Sequence, residues 1–239
     1  MANILWRLNS MWWRLRSFVF GFPLRLRRLF VHVGQGLGRR YTFAGLPKGA
    51  IRTLVWWWEF LLLVSDLLGL PLLYETFLDW VKWSTRPLNE VELRIGRWVF
   101  GDSINWPLVR LDERAYVGCR RYQFAYVSFN TINSWGGMPP PIFVHELVHV
   151  WQYQHLGAVY LSRALLAQRT PMGYNYGGVS MLRDFRKRAK TLLDFNYEQQ
   201  ADIIADYYRL ASGRGPQWGT GGQSDLPLYQ AYVLDLERS

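Results

Sequence analysis

The pattern of apolar and polar positions predicts two apolar helices early in the chain. Residues 50–68 contain three charged side chains that recur every seven residues, so they lie on one narrow stripe of an otherwise apolar helix. Gly69 and Pro71 end this helix. A second helix, over about 71–84, carries its charges on one face. We therefore expect a helical hairpin.

The apolar composition of residues 50–68 is compatible with contact with a membrane. Length alone permits one bilayer crossing, because about 20 apolar residues are enough. However, Glu59 and Asp66 lie inside the span, and each acid costs about 2–3 kcal/mol in lipid. A packed hairpin, or one that lies in the membrane interface, is the favoured interpretation. The three tryptophans at 56–58 suit an interfacial belt and a buried core equally well.

From about residue 91 the pattern becomes that of a mixed α+β domain. Alternating and β-branched runs predict short strands within residues 91–101, 107–112 and 123–133. The prolines at 139–141 place the start of the next helix near Ile142, and Gly157 signals its end. Further helices are predicted over residues 158–168, within the basic stretch 181–193, and over 196–212 with Asn196 as N-cap. Residues 170–180 and the glycine-rich stretch 213–224 are predicted loops.

The positive charge is concentrated at the N-terminus. The formal net charge is +10, and residues 1–58 hold ten basic residues and no acid. Within this stretch, the basic, aromatic residues 1–33 fit an anionic membrane surface, whereas the alternatives are an arm packed on the protein's own body or one that binds nucleic acid. Arginines interrupt every candidate signal-peptide core, so no cleavable signal peptide is expected. Basic residues 183–190 are spaced like a solvated helix face, and we expect no nucleic-acid partner.

The single cysteine limits the chemistry that is available. Cys119 excludes an intrachain disulfide and a thiolate-rich zinc site, and is expected to be a buried structural thiol. Any metal site must therefore use histidine and carboxylate ligands.

Such ligands occur in residues 145–152, which read H-E-L-V-H-V-W-Q. His145 and His149 lie about one helical turn apart, so both imidazoles can bind one metal ion. Glu146 is rotated by about 100° and can take a proton from a water molecule that zinc has acidified. This pattern predicts a zinc site with Glu146 as general base, and it needs one more protein ligand.

Two residues compete to be that third ligand. His155 stands six residues after His149, as in the extended three-histidine pattern, but Gln152 replaces the glycine that lets that chain turn back. Glu198, on a following helix, completes a two-histidine, one-glutamate site and is favoured. One turn further on, Asp202 can orient a ligating histidine, and Gln152 can reach the edge of the site.

An oxyanion formed during hydrolysis also needs a hydrogen-bond donor. Tyr174 and Tyr176, in the loop between the two site helices, are candidates for this catalytic role. Packing is the alternative for either.

The motifs together resemble a known group. H-E-L-V-H-V-W-Q, preceded by F-G-D-S-I and V-R-L and followed by E-Q-Q-A-D-I-I-A-D-Y-Y, is similar to small bacterial zincin-like domains of contractile injection systems and type VI secretion. The resemblance covers roughly residues 98–210. It implies a gluzincin-type metallopeptidase with His145, His149 and Glu198 at the metal and Glu146 as base, in a secreted toxin or a self-processing factor.

We therefore expect three regions: a basic segment and linker (1–49), an apolar hairpin (50–90) and a minimal zincin-like domain (91–239). In that α+β domain a small mixed sheet packs on the active-site helix and a second ligand-bearing helix. The expected function is zinc-dependent hydrolysis of a peptide or protein substrate by a membrane-associated or secreted bacterial protein. Two alternatives are a non-catalytic, metal-stabilised module that binds a secretion apparatus, and an effector that disrupts membranes through its N-terminus.

Overall fold

The computed structural model describes residues 2–36, 50–116, 118–122 and 124–237. Three helices form an N-terminal layer: α1 (Ala2–Gln35), α2 (Ala50–Leu67) and α3 (Leu70–Val81). The later helices are α4 (Glu90–Phe100), α5 (Cys119–Tyr122), α6 (Pro140–Leu156), α7 (Val159–Gln168), α8 (Gly178–Lys187), α9 (Tyr197–Ala211) and α10 (Leu226–Glu237). Most of the predicted linker, residues 37–49, lies outside the described residues.

One small sheet accompanies the helices, which confirms the α+β class. Its strands are β1 (Thr85–Pro87), β2 (Arg110–Asp112), β3 (Tyr126–Ser128) and β4 (Thr131–Asn133), in the order β1-β2-β4-β3. The sheet is mixed, since β2 and β4 are parallel and the two outer pairs are antiparallel. The central register places Leu111 opposite Ile132, and Val127 opposite Ile132 on the other side. Among the described strands β3 therefore forms one edge of the sheet.

Helix α6 is the centre of the fold. It packs against α4, α7, α9 and the sheet, and its side chains are buried on nearly every side. Leu147, Val148 and Trp151 are fully buried in the main hydrophobic core. A helix that is apolar all round is typical of a central core position. The tightly packed core around α6 therefore restricts the positions of the polar side chains that this helix also carries.

The strand predicted within 91–101 is wrong, because this segment is helix α4. Asn89 caps the helix by accepting a hydrogen bond from Glu92 N at 2.9 Å, and Glu92 Oε2 accepts from Asn89 N at 2.8 Å. This capping box outweighs the β-branched residues that suggested a strand. Gly96 lets the Trp106 ring approach so closely that a Cβ would lie 2.6 Å from it. The close packing of Trp106 on Gly96 therefore also stabilises helix α4.

The predicted strand 123–133 is in fact a tight hairpin of β3 and β4. Phe129 turns the chain with a positive φ of 61°. The buried carboxylate of Glu75 then accepts hydrogen bonds from Asn130 N at 2.7 Å and from Asn130 Nδ2 at 2.9 Å. A side chain from the N-terminal layer thereby fixes this turn.

Two further boundaries differ from expectation. Helix α6 starts at Pro140 rather than near Ile142, because prolines are tolerated in a first turn whose N–H groups have no helical acceptor. Helices α2 and α3 meet at a bend of 65°, so they form an elbow rather than a hairpin. Among the described helices none is alone both long and apolar enough to cross a bilayer, although this bent pair meets that test jointly by length and composition.

The N-terminal layer packs on the rest of the protein through buried polar contacts. Arg163 of α7 binds Glu59 with N–O distances of 2.9 and 3.1 Å. Asp66 accepts a hydrogen bond from Ala158 N at 2.5 Å. Arg14 pairs with Asp79 inside the layer. The inward face of this region therefore packs on the protein's own body, which was one of the alternatives for the basic arm.

Candidate metal centre

Helix α6 presents two histidines to one point. His145 and His149 lie one turn apart, and their ring centres are 5.0 Å apart. Nδ1 of each imidazole is hydrogen-bonded to a side-chain oxygen, at 2.7 Å for His145 with Asp202 and 2.8 Å for His149 with Gln152. A side-chain oxygen without a hydrogen can only accept, so Nδ1 carries the proton in both rings. Both Nε2 atoms are thereby available as ligands.

Helix α9 brings a carboxylate to the same point. Asn196 caps α9, as predicted, in a capping box with Gln199. Two residues later, the buried Glu198 places Oε2 at 3.3 Å from His145 Nε2 and at 3.4 Å from His149 Nε2. These three residues are the group within the described ranges that offers three metal-ligating atoms to one point.

The spacing of these atoms fits a tetrahedral zinc ion. Nitrogen and oxygen ligands about 2.0–2.1 Å from zinc lie about 3.3 Å apart at the corners of a tetrahedron, which matches the 3.3 and 3.4 Å between Glu198 Oε2 and the two imidazoles. Glu198 Oε1 accepts a hydrogen bond from Gln168 at 2.9 Å. By contrast, the buried Oε2 receives no hydrogen bond from any described group. A buried carboxylate oxygen left without a donor, facing two imidazoles, has the surroundings of a metal ligand.

The side chains that bind the two histidines are themselves held by further hydrogen bonds. Gln152 Nε2 donates to Tyr197 O at 3.0 Å and to Gln200 Oε1 at 2.9 Å, which ties the partner of His149 to α9. Trp218 Nε1 donates to the second carboxylate oxygen of Asp202. Such outer partners fix the tautomer and the ring orientation of metal-binding histidines.

The electrostatics of the cluster favour a bound cation. Burial lowers the pKa of His145, but the carboxylates of Asp202 and Glu198 raise it well above its ordinary value. Burial raises the pKa of Glu198, yet the adjacent imidazoles hold it well below its usual range. Protons occupy such a site in the absence of a metal, and a metal cation competes for the same positions.

Glu146 lies beside the cluster in an open cleft. Its carboxyl is buried, and Oε2 makes no hydrogen bond within the described part of the chain. Burial raises its pKa, against the opposing effect of the two histidines. A carboxylate with a raised pKa and a free oxygen suits proton transfer.

The cleft has a volume of about 620 Å³ and passes both histidines, Glu146 and Glu198. Residues 124–127, which include the start of the edge strand β3, and residues of α7 also line it. The Tyr160 hydroxyl donates to Val127 O at 2.8 Å, so this acceptor of the strand is already occupied.

The two candidate tyrosines have different positions. Tyr174 lines the cleft, and its ring centre lies 6.0 Å from that of His145. Burial and the nearby carboxylates raise the pKa of Tyr174, so its hydroxyl stays a donor. Tyr176 is fully buried instead, with its hydroxyl 2.7 Å from both Asp206 Oδ2 and the Tyr229 hydroxyl. The Tyr176 hydroxyl is therefore hydrogen-bonded in the core and does not line the cleft, so the geometry favours Tyr174 over Tyr176 as the donor.

His155 does not join the cluster. Its ring stacks on Trp151 at 4.7 Å, and Nδ1 donates to the Trp151 carbonyl at 2.9 Å. It lines a different cavity, together with Arg25 and Arg28. The geometry therefore favours Glu198 over His155 as the third ligand.

Sequence reasoning missed three polar residues near the site: Gln168, Gln200 and Trp218. Each contacts a candidate ligand or its partner across a tertiary interface. Gln200 lies within one helical turn of Glu198, so its position in the E-Q-Q sequence could have indicated that it lies near the site. No spacing in the sequence links Gln168 or Trp218 to the histidines.

Comparisons with known proteins give one partial similarity. The chain matches no protein-family model and no solved structure. It is 33% identical over 137 residues to the type VI secretion system spike protein VgrG2b of Pseudomonas aeruginosa. The match covers 52% of this chain and 13% of that protein. The chain is thus similar to a limited part of a secretion spike protein.

Proposed function

We propose that this chain is a secretion-associated bacterial protein and that its candidate metal centre is a zinc peptidase site of the zincin type. One observation carries the proposal: two imidazole Nε2 atoms lie 3.3 and 3.4 Å from Glu198 Oε2, beside the free carboxylate oxygen of Glu146. The similarity to a type VI secretion spike protein supports the secretion association.

His145, His149 and Glu198 would hold the ion. When bound, zinc supplies Lewis acidity that polarises a carbonyl and acidifies water. Glu146 takes the proton from the attacking water and later delivers it to the leaving amine. The Tyr174 hydroxyl donates a hydrogen bond to the carbonyl oxygen as negative charge develops on it. Asp202 and Gln152 keep the two imidazoles in one tautomer throughout.

The substrate is a peptide in extended conformation. The edge strand β3 lies along the cleft, so a peptide strand can add to it. Because the Tyr160 hydroxyl already donates to Val127 O, the proposal places the peptide beside the residues that precede Val127. Leu161, Ala164 and Leu165 of α7 also line the cleft, which favours an apolar substrate side chain in the cleft.

The second candidate function is a non-catalytic, metal-stabilised module of a secretion apparatus. The similarity favours it, because VgrG2b is described as a spike protein. In that case the ion contributes folding free energy without turnover.

Metal analysis and peptide cleavage test the proposal. The purified chain should bind one zinc ion, and Glu198→Ala should lower the affinity sharply. Glu146→Gln should retain zinc and lose peptide hydrolysis by a factor on the order of 10²–10⁴. Zinc binding without any hydrolysis would leave the structural module as the function. A chain that binds no zinc would overturn both candidates.

A further inference from the structure

The N-terminal layer has an unusual outward face. Between residues 53 and 81, every exposed side chain on α2 and α3 is apolar or aromatic. The largest include Trp57, Trp58, Leu61, Leu73, Phe77 and Trp80. This apolar outward face continues onto α1, where Trp12, Val19 and Phe20 are exposed. An apolar patch of this extent on a protein surface marks a binding site.

All acidic side chains of the two helices point the other way. Glu59, Asp66, Glu75 and Asp79 are buried, with at most 2% of each residue exposed. Each is paired inside the protein, for example Glu59 with Arg163 and Glu75 with Asn130. Soluble helices place charge outwards and apolar groups inwards. The layer shows the reverse arrangement, which is typical of helices in contact with lipid.

Several polar groups of the elbow are hydrogen-bonded within the elbow itself, although the Trp56 indole N–H has no partner among the described residues. The hydroxyls of Ser65 and Thr76 donate to carbonyls of their own helices, Leu62 O at 2.7 Å and Leu72 O at 2.6 Å. At the break, Gly69 N donates to Asp66 O at 3.0 Å and Leu73 N donates to Gly69 O at 3.0 Å. Hydrocarbon requires this internal pairing, since it offers no hydrogen-bond partner.

We propose that the outward face of α1–α3 inserts into the hydrocarbon of one leaflet of a phospholipid bilayer. The inference goes beyond the metal centre and does not depend on it. A protein partner fits less well, because protein interfaces expose a substantial polar fraction, which residues 53–81 lack.

The geometry indicates a single leaflet. Helix α1 has 34 residues, about 51 Å, which exceeds the bilayer hydrocarbon thickness of about 30 Å. Its exposed Arg16 and Arg27 lie within the helix, and so would fall inside the hydrocarbon of a crossing helix. The 65° bend between α2 and α3 likewise disfavours a straight crossing. A helix layer lying in the interface places these arginines at the headgroups.

The attraction is mainly apolar rather than electrostatic. Arg7, Arg14 and Arg25 are buried within the protein, and Arg14 is paired with Asp79. On the described part of the layer, Arg16, Arg27 and Arg52 are the exposed arginines. For the described residues, the proposed insertion therefore relies more on apolar contact than on the anionic lipid expected from the sequence.

Vesicle flotation of the full chain tests the inference. The protein should float with vesicles of pure phosphatidylcholine, and equally at about 0.1 M and about 1 M salt. The double variant Leu61→Glu/Leu73→Glu should bind at least about tenfold more weakly. The matched control Val91→Glu/Leu234→Glu changes exposed apolar residues outside the layer and should bind like the unchanged chain.

A second measurement needs no variant. Lipids brominated on the acyl chains should quench the fluorescence of the exposed tryptophans, which requires insertion rather than surface contact. Binding that needs anionic lipid and is lost at about 1 M salt would overturn insertion in favour of a surface contact. A chain that does not bind vesicles but self-associates would overturn insertion and indicate that a second copy of the chain binds this face. A chain that stays monomeric and does not bind vesicles would overturn insertion and indicate that another protein binds this face.

Discussion

His149 and Gln152 lie three residues apart on α6, and His149 Nδ1 donates to Gln152 Oε1 at 2.8 Å. The amide nitrogen of Gln152 donates onward to Tyr197 O and Gln200 Oε1 on α9. One amide thus fixes the tautomer of His149 and joins the two helices that hold the candidate ligands. The last residue of H-E-L-V-H-V-W-Q is therefore part of the site.

The first prediction concerns this amide. Gln152→Leu removes the acceptor for His149 Nδ1, so zinc affinity should fall by about 10–100-fold. Competition titration with a zinc-binding dye measures the affinity. His155→Gln, on the same helix but outside the cluster, should leave it unchanged. Equal affinities for both variants and the unchanged chain would show that Gln152 does not orient a ligand.

The second prediction separates the two tyrosines. Tyr174→Phe removes a donor from the cleft, so kcat for peptide cleavage should fall by about 10²–10³-fold with zinc binding unchanged. Tyr176→Phe breaks the buried bond to Asp206, so the free energy of unfolding should fall by about 1–2 kcal/mol with kcat unchanged. Steady-state kinetics and denaturant unfolding measure the two effects. A fall in kcat for Tyr176→Phe but not for Tyr174→Phe would assign the donor role to Tyr176 instead.

Much of the site follows from local signals. The i, i+4 spacing of His145 and His149 and the N-cap at Asn196 predict the two helices and the faces that bear the side chains. Their metal-binding role stays a prediction, but their proximity to Glu198 is observed. Gln168 was not predictable, because it reaches Glu198 only through the packing of α7 on α9.

The fold was predictable where local and tertiary preferences agree. At residues 91–101 the apolar and β-branched residues fit a strand or a helix, and the capping pair Asn89 and Glu92 decides for the helix. At 123–133 the turn depends on Glu75, which lies 55 residues earlier. A contact with a residue so far away does not change the pattern of apolar and polar positions within 123–133. The sequence pattern therefore could not distinguish the hairpin from one longer strand.

The third prediction concerns the buried pair that joins α2 to α7. Arg163→Met leaves the carboxylate of Glu59 in the interior without its guanidinium, although His32 Nδ1 lies 3.8 Å away. The free energy of unfolding should therefore fall by about 3–5 kcal/mol. Adding Glu59→Gln should recover part of this loss, since the charge is then gone. Urea unfolding of the four proteins forms the double-mutant cycle.

An exposed pair provides the control. Arg183 pairs with Asp225 at 2.5 Å, but 61% of the Arg183 side chain is exposed. Arg183→Met should change the free energy of unfolding by no more than about 1 kcal/mol. If Arg163→Met cost no more than this, the contact between α2 and α7 would contribute little to stability.

The fourth prediction is a dependence of stability on pH. Burial lowers the pKa of His155 below its ordinary 6.5, and Arg28 lowers it further, against the Trp151 carbonyl that raises it. The folded chain therefore keeps a neutral imidazole at a pH at which the unfolded chain binds a proton. Stability from this residue is complete above pH 6.5 and is lost as the pH falls below that value.

His155→Gln removes this titration, so the free energy of unfolding should fall less between about pH 8 and about pH 5 than it does in the unchanged chain. Urea unfolding with zinc present throughout limits the contribution of the other histidines. The cavity around His155 also contains Arg25, Arg28, Asp66 and Asp102, which both proteins retain. Their titration cancels in the comparison, so identical pH slopes would mean that the His155 imidazole is protonated as easily in the folded chain as in the unfolded one.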